Sequence, residues 1–304
     1  MKTLFMVELS RLLTRRLLRW LTVLVILGSV LAGTATFFAS DDSEAKVAQA
    51  QAQHEARLTS CVTQVRNGTW GEGEALSAEE LGNPRAFCED EEWSEDPRFH
   101  YEEMTWILGS FAFPMAMLAW LLGASSIGAE WHSRGMTTSL TWEPRRGRVL
   151  VAKFSVAAVV AFAWILILQL VFAALMYPAA AFRGSMDGVD AAWLMEAGGG
   201  ILRIGAVASL AALLGAALAT IGRNTAAAFG VGFAYLTIVE GLVRGFKPSW
   251  DDWLIGDNLA LFAIGPEDVT NVAHSQVGAG LLVLGYTLAL AWVAFMIFRK
   301  REIA

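Results

Sequence analysis

Residues 123–153 read GASSIGAEWHSRGMTTSLTWEPRRGRVLVAK. This compact stretch is basic and rich in hydroxyl side chains, and it is caught between two long apolar runs. One run ends near Ile127 and the next begins at Val149. A polar, positively charged connection between two apolar runs reads as a surface on the inner side of a membrane, open to a partner.

Working outward, the composition sets the class. Of 304 residues, 55% are hydrophobic, and the mean hydropathy is +0.47. That is more apolar than a water-soluble domain of this size, so lipid must solvate much of the surface. A helix needs about 20 apolar residues to cross the hydrocarbon core. Six stretches qualify: 17–38, 104–127, 149–181, 199–221, 225–243 and 277–298. The expected fold is therefore all-α, a polytopic membrane protein of six spans. The third stretch exceeds the need and is expected to tilt or to extend past an interface. Pro114 is expected to kink the second span and Pro178 to end the third. Only Gly222, Arg223 and Asn224 separate the fourth and fifth, which makes them an antiparallel hairpin.

The net charge of −6 hides a partition of sign along the chain. With the N-terminus inside, the inner segments hold 14 of the 23 basic residues and four acids, Glu8, Glu130, Glu143 and Glu302. The segment 39–103 holds 16 acids and five basic residues. Lys and Arg are retained on the cytoplasmic side, so both termini are expected inside and 39–103 forms an acidic extracytoplasmic insertion. The first span has a basic flank like a secretory signal. Its core of about 22 residues exceeds the roughly 7 to 15 of a signal sequence, and no small-x-small cleavage site follows, so it is read as uncleaved. Ahead of it, residues 1–16 place Met6, Leu9 and Leu13 on one helical face and Glu8, Arg11 and Arg15 on another, which suits a helix lying on the inner leaflet.

Within the insertion, 45–58 has helical composition. Cys61 and Cys88 lie on the oxidising side, where they form either a disulfide or two separate thiols. The run EDEEWSED at 89–96 reads as a solvated, mutually repelling face rather than a cation site. A second outer stretch, 246–276, carries Trp250, Asp251, Asp252 and Trp253 and suits a short interfacial element before the last span. Residues 299–304 form an inner tail.

Catalytic chemistry is not legible. The chain has no GxxxxGK[ST] phosphate loop and no GxSxG elbow, and its four histidines, His54, His100, His132 and His274, do not match a metal-binding spacing. Catalytic and metal residues are thus expected to be none, and no cofactor is expected in this chain. Two ionisable groups fall clearly inside spans, Arg203 in the fourth and Glu240 in the fifth. At similar depth in the hairpin, they are expected to pair. So few intramembrane charges argue against an ion-coupled carrier, and the energy source should lie elsewhere.

In 123–153 itself, Glu130 follows the small-residue run Gly123–Gly128. Arg134, the turn-prone Gly135, and a Thr-rich segment follow, then Pro144, Arg145, Arg146 and Arg148. A short helix over 130–142 is expected to turn polar groups to the cytosol and Met136 and Leu140 toward membrane or partner. The order of an acid, a Gly, a Leu, a Pro, an Arg and a Lys, here Glu130, Gly135, Leu140, Pro144, Arg146 and Lys153, resembles the permease subunits of ABC transporters of the type-2 family. Met136 and Thr137 depart from that family's usual Thr-Leu, and the large insertion after the first span is less typical of it.

The resemblance implies a six-span permease in the cell membrane, expected to act as an exporter, with a five-span core over 104–298 following the insertion. It makes 128–148 the coupling loop, with Glu130, Arg134, Gly135, Leu140, Pro144 and Arg146 as coupling residues. ATP and Mg would reside in a separate ATP-binding subunit. The other partners implied are a second permease copy and membrane lipid, with no nucleic acid. The competing reading is a membrane sensor or assembly protein whose acidic outer domain binds a ligand.

Overall fold

The computed structural model describes residues 2–67, 83–90, 96–133, 135–266, 269 and 272–300. Every regular element among them is helical, in keeping with the all-α, six-span reading. The helices are α1 (Lys2–Leu13), α2 (Arg16–Ala39), α3 (Glu44–Asn67), α4 (Pro84–Asp90), α5 (Met104–Ser110), α6 (Ala112–His132), α7 (Gly135–Trp142), α8 (Arg146–Arg183), α9 (Ala191–Gly222), α10 (Thr225–Ala234), α11 (Glu240–Phe246), α12 (Ile255–Ile264) and α13 (Gln276–Lys300). A π-helical segment, Tyr235–Val239, joins α10 to α11, so that 225–246 runs as one apolar span. Six helical stretches are long and apolar enough to cross a membrane: α2, α6, α8, α9, the α10–α11 rod and α13.

The two proline expectations fare differently. The second span breaks at Phe111, between α5 and α6, in the turn ahead of Pro114, where a proline ring displaces the carbonyl four residues back. Pro178 does not end the third span. The helix α8 continues through it to Arg183, because a proline this near a helix end removes one backbone bond while the flanking turns hold. The hairpin forms as read. Arg223 takes the left-handed conformation (φ 54°) that stops α9, and the Asn224 side chain caps α10 by accepting from Ala226 N at 2.8 Å.

By contacts the chain divides into two compact units, one made of Met1–Ser29, Glu103–Ala173 and Asp190–Ala304, the other of Val30–Glu102 and Ala174–Val189. The heart of the first unit is the pairing of α6 with α9. Small residues cause it. A Cβ added at Gly123 would stand 1.9 Å from the Ala212 carbonyl oxygen, and one at Gly215 would stand 2.4 Å from that of Trp120. Only glycine lets the two backbones approach so closely, and the close approach replaces hydrophobic burial, which is weak between helices already solvated by lipid. Hydrogen bonds tie in the neighbours: Trp164 Nε1 on α8 donates to Thr22 on α2 at 2.9 Å, and Ser209 on α9 donates to the Ala158 carbonyl on α8 at 2.9 Å. In the stretch 246–276, Pro248–Trp253 forms a 3₁₀ turn and α12 packs against α13.

In the second unit, Cys61 on α3 and Cys88 on α4 are joined as a disulfide with Cα atoms 6.1 Å apart. Leu58, Val62, Val65 and Phe87 pack around it as a small apolar cluster. The return segment is held by Ser40, whose hydroxyl accepts from Phe99 N at 2.9 Å, and by a parallel bridge of His100 with Ser185. Much of the acidic run at 89–96 lies outside the described residues. Its last member, Asp96, pairs with Arg98 at 2.7 Å and approaches His100 at 3.1 Å. The Arg98 hydrogen bonds hold the Asp96 carboxyl well below its ordinary range, with burial acting against them.

Candidate functional site

The basic stretch at 123–153 is organised by charges buried beneath it. α1 is amphipathic, yet its charged side faces the protein: Glu8 is 5% exposed and Leu12 is buried, whereas Met6 and Leu13 are open to the surroundings. An acid can be buried there because cations meet it. Lys153, in the second turn of α8 and 4% exposed, places Nζ 2.7 Å from Glu8 Oε2 and 2.6 Å from Glu130 Oε2. The Lys153–Glu8 contact is a hydrogen bond. The Lys153–Glu130 contact is ionic, without hydrogen-bond alignment.

Two arginines of the N-terminal segment complete the hub. Arg15 donates to the carbonyls of Ser125 and Ser126 at 2.7 and 2.8 Å and lies 3.4 Å from Glu130 Oε1. Burial lowers its proton affinity, while Glu130 and Glu8 act in the opposite sense. Arg11 bonds Glu8 Oε1 at 3.3 Å and Ser139 Oγ on α7 at 3.1 Å. Three cations and two acids thereby lock four elements together: α1, the end of α6, α7 and the start of α8. Removing one member would leave opposite charges stranded in a dry site, which is far costlier than losing a surface pair.

Glu130 is therefore a residue of α6, 8% exposed, and not the first residue of an exposed helix. The loop helix is shorter than read, since α6 runs to His132 and α7 starts at Gly135. Met136 and Leu140 turn inward to the chain's own core rather than outward to a partner. The exposed side of α7 carries Thr138, Thr141 and Trp142, with Pro144 and Arg145 following in the link to α8. Trp142 is 86% exposed. Arg134 lies outside the described residues. Arg146, half-buried, opens α8, where its N–H donates to the Pro144 carbonyl at 3.0 Å.

Further close contacts fix the orientation of this end. Gly128 abuts the first residue of α10: a Cβ there would stand 2.5 Å from Thr225 N. Arg223 of the α9–α10 turn stacks on the Trp131 ring at 4.9 Å, and that ring meets Phe298 of α13 edge-on. The end of α6 that leads into the loop is thus held by α9, α10 and α13 at once.

The expected pair of Arg203 and Glu240 is not formed. Glu240, 1% exposed, accepts from Gly256 N at 2.8 Å and pairs with Arg244 at 3.1 Å, and Arg244 pairs in turn with Asp257 at 2.6 Å. The hairpin argument matched the two residues by depth and left out α12, whose first turn supplies the backbone partner. Arg203 instead lines a cavity with Glu196, and its Nε has no hydrogen-bond partner among the described residues.

Sequence reasoning missed Glu8 as a partner of Lys153 because 145 residues separate them. The signal it could have used is an acid set among arginines on the polar face of α1. Among the described residues no cluster of His, Cys, Asp and Glu is arranged to hold a metal. The sequence model of a family described as ABC-2 family transporter protein matches residues 3–303. No curated protein matches the chain.

Proposed function

The chain belongs to the ABC-2 transporter family, and on that premise we propose that it is the membrane-spanning half of an ATP-driven exporter, gripped by its ATPase subunit at α7. Permeases of this family work with an ATP-binding partner, and a chain without a phosphate loop must receive its energy through contact. The observation that carries the reading is the contrast within α7. Its inner side is tied to the hub by Ser139 and buries Met136 in the apolar core, while Trp142 at its end is bare. An aromatic side chain exposed on a rigidly backed helix is the kind of anchor that protein interfaces bury.

In this reading the coupling residues divide into two roles. Trp142, Thr138 and Thr141 would contact the ATPase, with Pro144, Arg145 and Arg146 at the edge of the contact. Glu130, Lys153, Glu8 and Arg15 would transmit its movement. Because the hub ties α7 to α1, α6 and α8, a push on α7 would move those helices as one body instead of bending a loop. Charge partition supports placing this end in the cytoplasm of the cell membrane, with both termini inside. A second permease copy would supply the other wall of the pathway.

The test is affinity purification of the full-length chain from its native membrane. A phosphate-loop ATPase should accompany the wild type in stoichiometric amount and be lost from Trp142→Ala. Absence of such a subunit from the wild-type preparation would favour the sensor reading, in which the acidic outer unit binds a ligand and no ATPase is needed.

A further inference from the structure

Two cavities adjoin along α9 in the first unit, away from the hub. One is apolar, about 390 Å³, walled by α6, α9, the π-helical segment and α12, with Trp120, Leu214 and Leu236 among its lining. The other, about 330 Å³, is mixed in polarity and contains Arg203, Glu196, Thr105 and Ser110. Gly109, Ser110, Ala263 and Ile264 line both. Each volume lies in the range of roughly 300 to 1,000 Å³ typical of ligand sites.

Arg203 is prepared for a guest. Its guanidinium turns back along α9 to Gly199, where a Cβ would stand 3.2 Å from Nη1, and to Gly200, where the distance would be 3.8 Å from Nη2. Gly199 and Gly200 leave that space to the guanidinium. Arg203 forms no ion pair among the described residues, although Glu196 shares the cavity. Seven residues separate the two, about 10 Å along the helix axis. A cation held within a span without a counter-charge is costly and marks a functional position. The rims of both cavities carry apolar side chains open to the surroundings, Trp106 beside the polar one and Phe113 and Val231 beside the apolar one. In a membrane those rims face hydrocarbon, so the cavities are entered sideways from the bilayer.

We propose that these cavities hold one zwitterionic phospholipid of the surrounding bilayer, with its phosphate on Arg203, its ammonium toward Glu196 and an acyl chain in the apolar cavity. The order along α9 matches the order within the lipid: tail, phosphate, amine. A fixed cation and a fixed anion in one pocket favour a headgroup carrying both charges over one that is only negative.

The test titrates the purified full-length chain in detergent with phosphatidylethanolamine and, separately, phosphatidylglycerol, and reads the rise in melting temperature together with bound lipid by native mass spectrometry. Wild type should retain one phosphatidylethanolamine and bind it more tightly than phosphatidylglycerol. Arg203→Gln should weaken binding of both about tenfold, as expected for loss of one charge-assisted contact, and Arg203→Lys should restore part of it. Glu196→Gln should erase the preference for the amine. Ala260→Phe, which fills the apolar cavity, should weaken both lipids alike. Equal binding of both lipids to wild type, or binding unchanged in Arg203→Gln, would overturn the proposal. No ATPase is needed, so this outcome is independent of the transport reading.

Discussion

Lys153 is the residue on which the ion-paired hub depends. Its side chain is 3% exposed and answers the Glu8 and Glu130 carboxylates at once. Lys153→Met should therefore destabilise the protein by about 3 to 5 kcal/mol, the usual cost of breaking a buried ion pair from one side. Replacing Glu8, Arg11, Arg15, Glu130 and Lys153 together by apolar residues should recover most of that loss. Melting curves of the purified variants decide the matter, and an unchanged melting temperature in Lys153→Met would remove the hub from the account. The same geometry revises what Glu130 can do. A carboxylate held by Lys153 and Arg15 positions α7 from within and does not reach a partner. Its importance was legible in the sequence from its place at the head of a basic loop. Its partners were not, because Glu8 and Lys153 come from segments that only the folded bundle brings together. Arg203 and Glu240 show the converse limit: equal depth in a hairpin allows a pair, but a backbone N–H at Gly256 competed for the acid and won.

At the scale of elements, the six spans follow from runs of apolar residues, and their ends shift by one to several residues where polar turns extend a helix. Less legible was which helices lie at the centre. Hydropathy is similar for α2 and α9, yet α9 is largely buried and α2 largely exposed. The difference lies in small residues. Gly123 should tolerate nothing larger: Gly123→Ala drives a Cβ into the backbone of α9, and a loss of about 3 kcal/mol is expected, since backbone cannot yield as a flexible side chain would. Gly230, with open space around its missing Cβ, is the control, and Gly230→Ala should leave the melting temperature unchanged or raise it. Equal effects at the two sites would contradict the close-packed seam.

The segment around Asp96 adds a pH dependence. Asp96 has its pKa lowered by the Arg98 side chain, so it stabilises the fold fully above the unfolded carboxylate value near 4. That contribution fades as pH falls through this value toward the depressed one. Wild type should accordingly lose more stability than Asp96→Asn between pH 6 and pH 3, and parallel losses would argue against the Asp96–Arg98 pair.

Taken as a whole molecule, the chain carries a cluster of buried ion pairs beneath α7 and a disulfide between Cys61 and Cys88. The class, the family and the basic loop were readable from composition, charge partition and the residues from Glu130 to Lys153. The face of the loop helix was not. Met136 and Leu140, one turn apart, looked outward by spacing alone, and the folded core claimed them, leaving Trp142 as the exposed group. Everything proposed about function rests on that face meeting an ATPase. The most direct measurement is ATP hydrolysis by the ATPase subunit in proteoliposomes containing either wild-type permease or Trp142→Ala. Stimulation by the wild type should fall about tenfold or more in the variant, with its melting temperature unchanged. Full stimulation by Trp142→Ala would contradict α7 as the point of coupling.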